Sequence, residues 1–239
     1  MGTSTATLKQ QAKVAGPFYV FELPVRIWHW LHALSITTLV ITGFLIATPL
    51  PSFHGEASSL FTMGYIRMVH FIAAMVFVIG LVMRFYWAFF GNYHSRELFI
   101  VPVWRKDFWT GMLHEFKWYG FMTRKSSKFL GHNPLAQIAM FATNFLGGIF
   151  MICTGFALYS QGTGDGSWAD KMFGWVFLIE PSSQAVRMWH LIGMWVMLTF
   201  VIIHVYMVIR EDLYSRQNGV GAMISGFRRY RDDGPMDPQ

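Results

Sequence analysis

The sequence predicts an all-α membrane protein, a four-transmembrane-helix bundle with both termini cytoplasmic. Three observations predict it. Of 239 residues, 54% are hydrophobic and only 13% are charged, too little polar surface to cover a globule in water, since soluble domains carry about 25% charge. Four apolar runs reach the length of about 20 residues that a helix needs to cross a bilayer. Lysine and arginine collect in alternate connections, and that pattern orients the chain.

The stretch from Met1 to Pro17 is polar, and Pro24 and Arg26 interrupt the approach to the first apolar run, so no cleavable signal is expected. The spans are expected at 28–48, 70–90, 135–159 and 190–209, within one domain covering 1–239 whose tail, 210–239, is cytoplasmic. The tail through Arg26 holds three Lys or Arg, the region from Arg84 to Lys128 eight, and the C-terminal region from Arg210 five. The first and third connections offer only Arg67, Lys171 and Arg187. Both tails and the middle connection are therefore expected in the cytoplasm. The net charge of +6 follows this placement and does not imply nucleic acid. Within the middle connection, 104–121 mixes aromatics with charges at helical spacing and is expected to lie on the membrane surface. Trp168, Trp175 and Phe177 are expected to anchor the opposite interface.

Histidines stand in three of the four spans: His29 and His32, His70, and His190 with His204. An ionisable residue at membrane depth is costly and points to function, and imidazole, neutral near pH 7, is a good haem ligand. His190 and His204 are fourteen residues apart, roughly 21 Å along a helix, and return to nearly the same face. They are too far apart for one metal, so two stacked cofactors are expected. Matching depth pairs His70 with His190 near the outer face and His204 with either His29 or His32 near the inner one, the irons roughly 20 Å apart. Hydrogen bonding between helices is the competing use of such imidazoles. His54, His94, His114 and His132 fall outside the spans and are expected at the surface. Arg26, Arg67 and Arg187 each precede a histidine by three residues, one turn nearer water. A guanidinium suits a haem propionate, and interfacial snorkelling is the alternative. Cys153, the lone cysteine, cannot by itself hold a cluster or zinc.

At these residues the chain resembles the cytochrome b subunit of membrane-bound uptake nickel–iron (NiFe) hydrogenases. The strings that carry the resemblance are Pro24-Val-Arg-Ile-Trp-His29-Trp, Met63-Gly-Tyr-Ile-Arg67-Met-Val-His70, Ser95-Arg-Glu-Leu-Phe-Ile-Val-Pro-Val-Trp104, Gly131-His-Asn-Pro-Leu-Ala-Gln137 and His204-Val-Tyr-Met-Val-Ile-Arg-Glu-Asp212. The membrane subunit of respiratory formate dehydrogenase is a more distant likeness. The resemblance implies two bis-histidine haems b, prefers His29 to His32 because the family pattern is Arg-x-x-His-Trp, and places quinone chemistry near 131–134. There Asn133 is either a helix cap before Pro134 or a donor to a quinone carbonyl. His132 is a proton source, and Tyr206 a weaker candidate. The implied partners are the hydrogenase's iron–sulfur small subunit and its large subunit, with membrane lipid and quinone, in the cell inner membrane. Service to another periplasmic dehydrogenase, or a haem-free anchor, are the alternatives. Hydrogen itself is not expected to be split here, for want of thiolates.

Overall fold

The computed structural model describes residues 17–49, 61–123, 127–215 and 218–230. The polar start before Pro17, the heart of the first connection with His54, the basic residues Arg124 and Lys125, and the tail beyond Tyr230 lie outside the described residues.

Four helices are long and apolar enough to cross a membrane. Helix α1 runs Leu23–Ala47 and α2 Thr62–Phe90. A shorter helix, α3, occupies Lys106–Tyr119. Helix α4 covers Pro134–Thr163, with a π-helical stretch at Phe141–Leu146. Short helices α5 (Trp168–Phe173) and α6 (Val176–Ile179) precede α7, Ser183–Arg210, which continues as a π turn through Ser215. Helix α8 (Gly219–Ser225) follows, and strand β1 (Phe18–Tyr19) pairs antiparallel with β2 (Phe227–Arg228).

The helix ends follow local chemistry. Pro24 sits in the first turn of α1, where its missing N–H is no loss. Asn133 caps α4, its side chain accepting from the Ala136 N–H, with Pro134 next. α4 stops at Gly164, whose φ of 89° few other residues adopt. Three helices begin well before the apolar runs indicated: α1 starts at Leu23, not 28, α2 at Thr62, not 70, and α7 at Ser183, not 190. Backbone hydrogen bonding carries a helix through Arg67, Gln184 and Arg187, although these residues end the apolar stretch that hydropathy detects. His70 and His190 thus stand about two turns inside their helices.

The chain divides into two compact units. One gathers Met1–Ile27, Phe85–Phe141 and Ile202–Gln239; the other Trp28–Arg84 and Ala142–Val201. In the first, Val20, Phe21, Val25 and Ala222 form a small core beside the paired strands. There α3 buries Phe108, Glu115 and Trp118, while Trp109, Leu113 and Phe116 stay exposed, so it is an amphipathic helix with a packed face as well as an outer one. In the second unit, Ile36, Phe77 and Met197 form one core, and Ala157, Val176 and Val186 another, against which Cys153 and Phe177 pack. Phe156 stacks on Phe173 and meets the edge of Trp168. Trp168 and Trp175 are half exposed.

Candidate cofactor site

In the second unit, His70 and His190 line one cavity of about 900 Å3, within the roughly 300–1,000 Å3 range of cofactor-sized sites. They are close enough to interact electrostatically. Arg67 and Arg187 line the same cavity, with an otherwise largely apolar wall that includes Leu39, Val40 and Met194. Two cationic side chains with two imidazoles in an apolar slot match the groups a haem presents: an iron, a flat apolar ring and two carboxylates.

Each imidazole is held by a hydroxyl from a neighbouring helix. Thr42 Oγ1 on α1 lies 2.8 Å from His70 Nδ1, and Thr154 Oγ1 on α4 lies 2.8 Å from His190 Nδ1. Each hydroxyl already donates its proton within its own helix, Thr42 to the Thr38 carbonyl at 2.6 Å and Thr154 to the Phe150 carbonyl at 2.8 Å. It therefore accepts from the imidazole, which places the ring proton on Nδ1 and leaves the Nε2 lone pair for a metal.

The residue after each threonine is a glycine, and it makes room for the same ring. A Cβ on Gly155 would stand 3.1 Å from His190 Cε1, and one on Gly43 would stand 3.7 Å from His70 Cε1. Thr42-Gly43-Phe44 and Thr154-Gly155-Phe156 form an internal repeat that sequence reasoning missed. The signal was present: a Thr-Gly pair on spans one and three, opposite a histidine on spans two and four. Among the described residues, no three His, Cys, Asp or Glu side chains come together for a bare metal ion. A ligand pair that leaves the other coordination positions to a macrocycle suits the donors present.

His29 and His32 belong to this unit too. His32 is buried, its ring stacked between Trp28 at 4.8 Å and Phe77 at 4.5 Å, while His29 meets the edge of Trp30. His204 belongs to the other unit, on the same unbroken helix as His190. Tyr206 is half exposed.

The remaining candidates stand in the first unit. Arg26 donates to the Ile224 carbonyl at the end of α8. Asn133, besides capping α4, directs its amide N–H groups at Glu115 (3.2 Å) and Tyr119 (2.9 Å). Tyr119 is held as a phenol: burial, then the charges of Glu211 and Glu115, push its hydroxyl above the usual range. Arg210 is buried, donates to the Trp118 carbonyl at 2.8 Å and lies over the rings of Trp118, Tyr119 and Phe121. His94 and His132, expected at the surface, instead flank a buried carboxylate, Glu97. Their positions in loops hid this, because the partner is a long-range contact for His132.

Residues 20–226 match the family described as prokaryotic cytochrome b561. A protein named probable Ni/Fe-hydrogenase B-type cytochrome subunit from Azotobacter chroococcum is 52% identical over 217 residues, which is 91% of this chain and 90% of that one. Its namesake in Bradyrhizobium diazoefficiens is 54% identical over 90% of this chain and 87% of its own. A probable Ni/Fe-hydrogenase 1 B-type cytochrome subunit from Escherichia coli is 48% identical, over 94% of this chain and 96% of its own.

Proposed function

Because this chain belongs to the prokaryotic cytochrome b561 family, we propose that it is the b-type cytochrome subunit that carries electrons from a periplasmic nickel–iron hydrogenase to membrane quinone. The names of its relatives support the partner, and the observation that carries the reading is the cavity in which His70 and His190 are each held by a threonine hydroxyl. Haem b, when bound, supplies the one-electron chemistry. The chain's own residues set where it sits. His70 and His190 would hold an outer haem, with Arg67 and Arg187 answering its propionates. His29 and His204 would hold an inner one, and Arg26 belongs to that end. His132 and Asn133 would border the quinone.

Positive charge in the middle connection and the C-terminal region argues that these face the cytoplasm of a cell inner membrane. The paired strands β1 and β2 bring the two tails together, which fits termini on one side. Electrons from hydrogen released outside, joined at quinone by protons from inside, would conserve energy across the membrane.

The absorption spectrum of the purified complex tests this. A reduced b-type alpha band with two haems per chain is the expected result; a chain without visible absorption ends the reading. His190→Ala should remove the outer haem and spare the inner one. Equal loss of both in a folded variant would refute the assigned pairs.

A further inference from the structure

Glu97 is a carboxylate only 5% exposed in the loop after α2. One oxygen receives His94 Nδ1 at 2.6 Å; the other receives both the backbone N–H and Nδ1 of His132, each at 2.8 Å. The loop closes tightly over it, since a Cβ on Gly131 would fall 2.0 Å from Glu97 Oε1. Burial alone would raise the Glu97 carboxyl. Hydrogen bonds from His132 and His94 outweigh that and hold it down at about 2.

A buried anion needs positive charge nearby, and its ion-pair partners are these two imidazoles. Other charged or titratable groups among the described residues stand close by. Arg228 donates to the carbonyls of Leu130 and Gly131, Tyr93 meets the edge of the His94 ring, and His204 lies within electrostatic reach of His132. Phe21 covers the His132 ring at 5.4 Å. The Arg228 guanidinium donates to backbone oxygens, and the side chains that meet the Glu97 carboxylate directly are the rings of His94 and His132.

We propose that Glu97 with His94 and His132 is a proton-loading site for the quinone, a proposal that rests on the quinone reading above. Because the carboxylate accepts from Nδ1–H of both rings, Nε2 is the atom that takes and gives the proton. His132 gives its Nε2 proton to a quinone oxygen that has received an electron. The N–H bond breaks, its pair stays on Nε2, and an O–H bond forms. Two such transfers with two electrons from the haems complete a quinol, and after each one a proton from the cytoplasm, carried by water, reloads Nε2. Glu97 is a positioning residue. It holds the Nδ1 side of both rings, fixing their orientation and leaving Nε2 for the proton transfer.

The test is hydrogen-driven reduction of a short-chain quinone by the whole complex, followed against pH. Glu97→Gln should move the alkaline limb of kcat about one pH unit toward acid, a roughly tenfold loss above that limb, while hydrogen still reduces the haem alpha band fully. Glu97→Asp should restore the original limb. His94→Gln should shift it the same way by less. A Glu97→Gln complex with the wild-type profile overturns the proposal. If that variant does not assemble, an unmoved limb in His94→Gln overturns it instead. Wild-type complex whose haems reduce but whose quinone does not would refute the quinone reading itself, and this proposal with it.

Discussion

Thr154 is the residue that fixes the orientation of the His190 imidazole. Its hydroxyl has one proton, spent on Phe150, and the acceptor left over is what the imidazole finds. Thr154→Val keeps the shape and removes the acceptor. Lost support of this kind typically costs 10–100-fold in affinity at metal sites, so the outer haem should dissociate at least about tenfold more readily, with the inner one unaffected. Thr154→Ser should restore retention. Haem content after dilution, read by the pyridine haemochrome spectrum, measures both; equal retention in all three proteins would show the hydroxyl to be incidental. The sequence displayed the five span histidines plainly because each is a polar residue against apolar neighbours, and Arg26, Arg67 and Arg187 stood out by preceding a histidine by three residues. Thr42 and Thr154 were not legible in that way. A threonine in a membrane helix usually bonds its own i−4 carbonyl, as both do here, and only the facing helix reveals the second bond. Glu97 was hidden for a related reason, since a carboxylate in a basic loop looks solvated until Gly131 closes over it.

At the scale of elements, α3 and the end of α7 are fastened to one another. Trp118 Nε1 donates to Glu211 at 2.7 Å, and the Trp118 ring lies 4.6 Å beneath the Arg210 guanidinium. Trp118→Ala therefore removes a buried aromatic, a hydrogen bond and a cation–π contact together. Loss of a buried aromatic costs about 3–5 kcal/mol. Protease cleavage within 106–119 should accelerate correspondingly while the spans remain intact. Unchanged cleavage would mean that α3 is held by lipid alone. Amphipathic spacing had placed this helix, with bounds close to those found, but it could not distinguish a face packed on protein from one resting on lipid. The starts of α2 and α7 were misplaced by about two turns for the converse reason: hydropathy records what a residue prefers as solvent, whereas a helix continues wherever its backbone bonds do.

Across the whole molecule, stability against acid should carry the mark of Glu97. Its carboxyl titrates at about 2 in the folded chain against an ordinary 4.5. A depressed acid contributes stability that is present above its unfolded value and lost as pH falls through the folded one. The loops it joins should therefore loosen between roughly pH 4.5 and 2, detected as proteolysis near residues 94 and 132, and Glu97→Gln should flatten that dependence. Steep loosening in the variant would assign the transition to another group. Orientation is tested separately: a reporter fused after residue 239 should be active only as a cytoplasmic protein, and activity outside would invert the assignment. The four spans were readable from composition alone. The joining of the two tails was not, because two-residue strands leave no periodic signature.

That joining, Phe18–Tyr19 against Phe227–Arg228, has a consequence for biosynthesis. Strand β1 leaves the ribosome long before β2 is made, so a nascent chain stalled before residue 227 has its four spans but an unpaired β1. Synthesis through residue 228 is what closes this pair, so insertion of the four spans precedes the joining of their flanks.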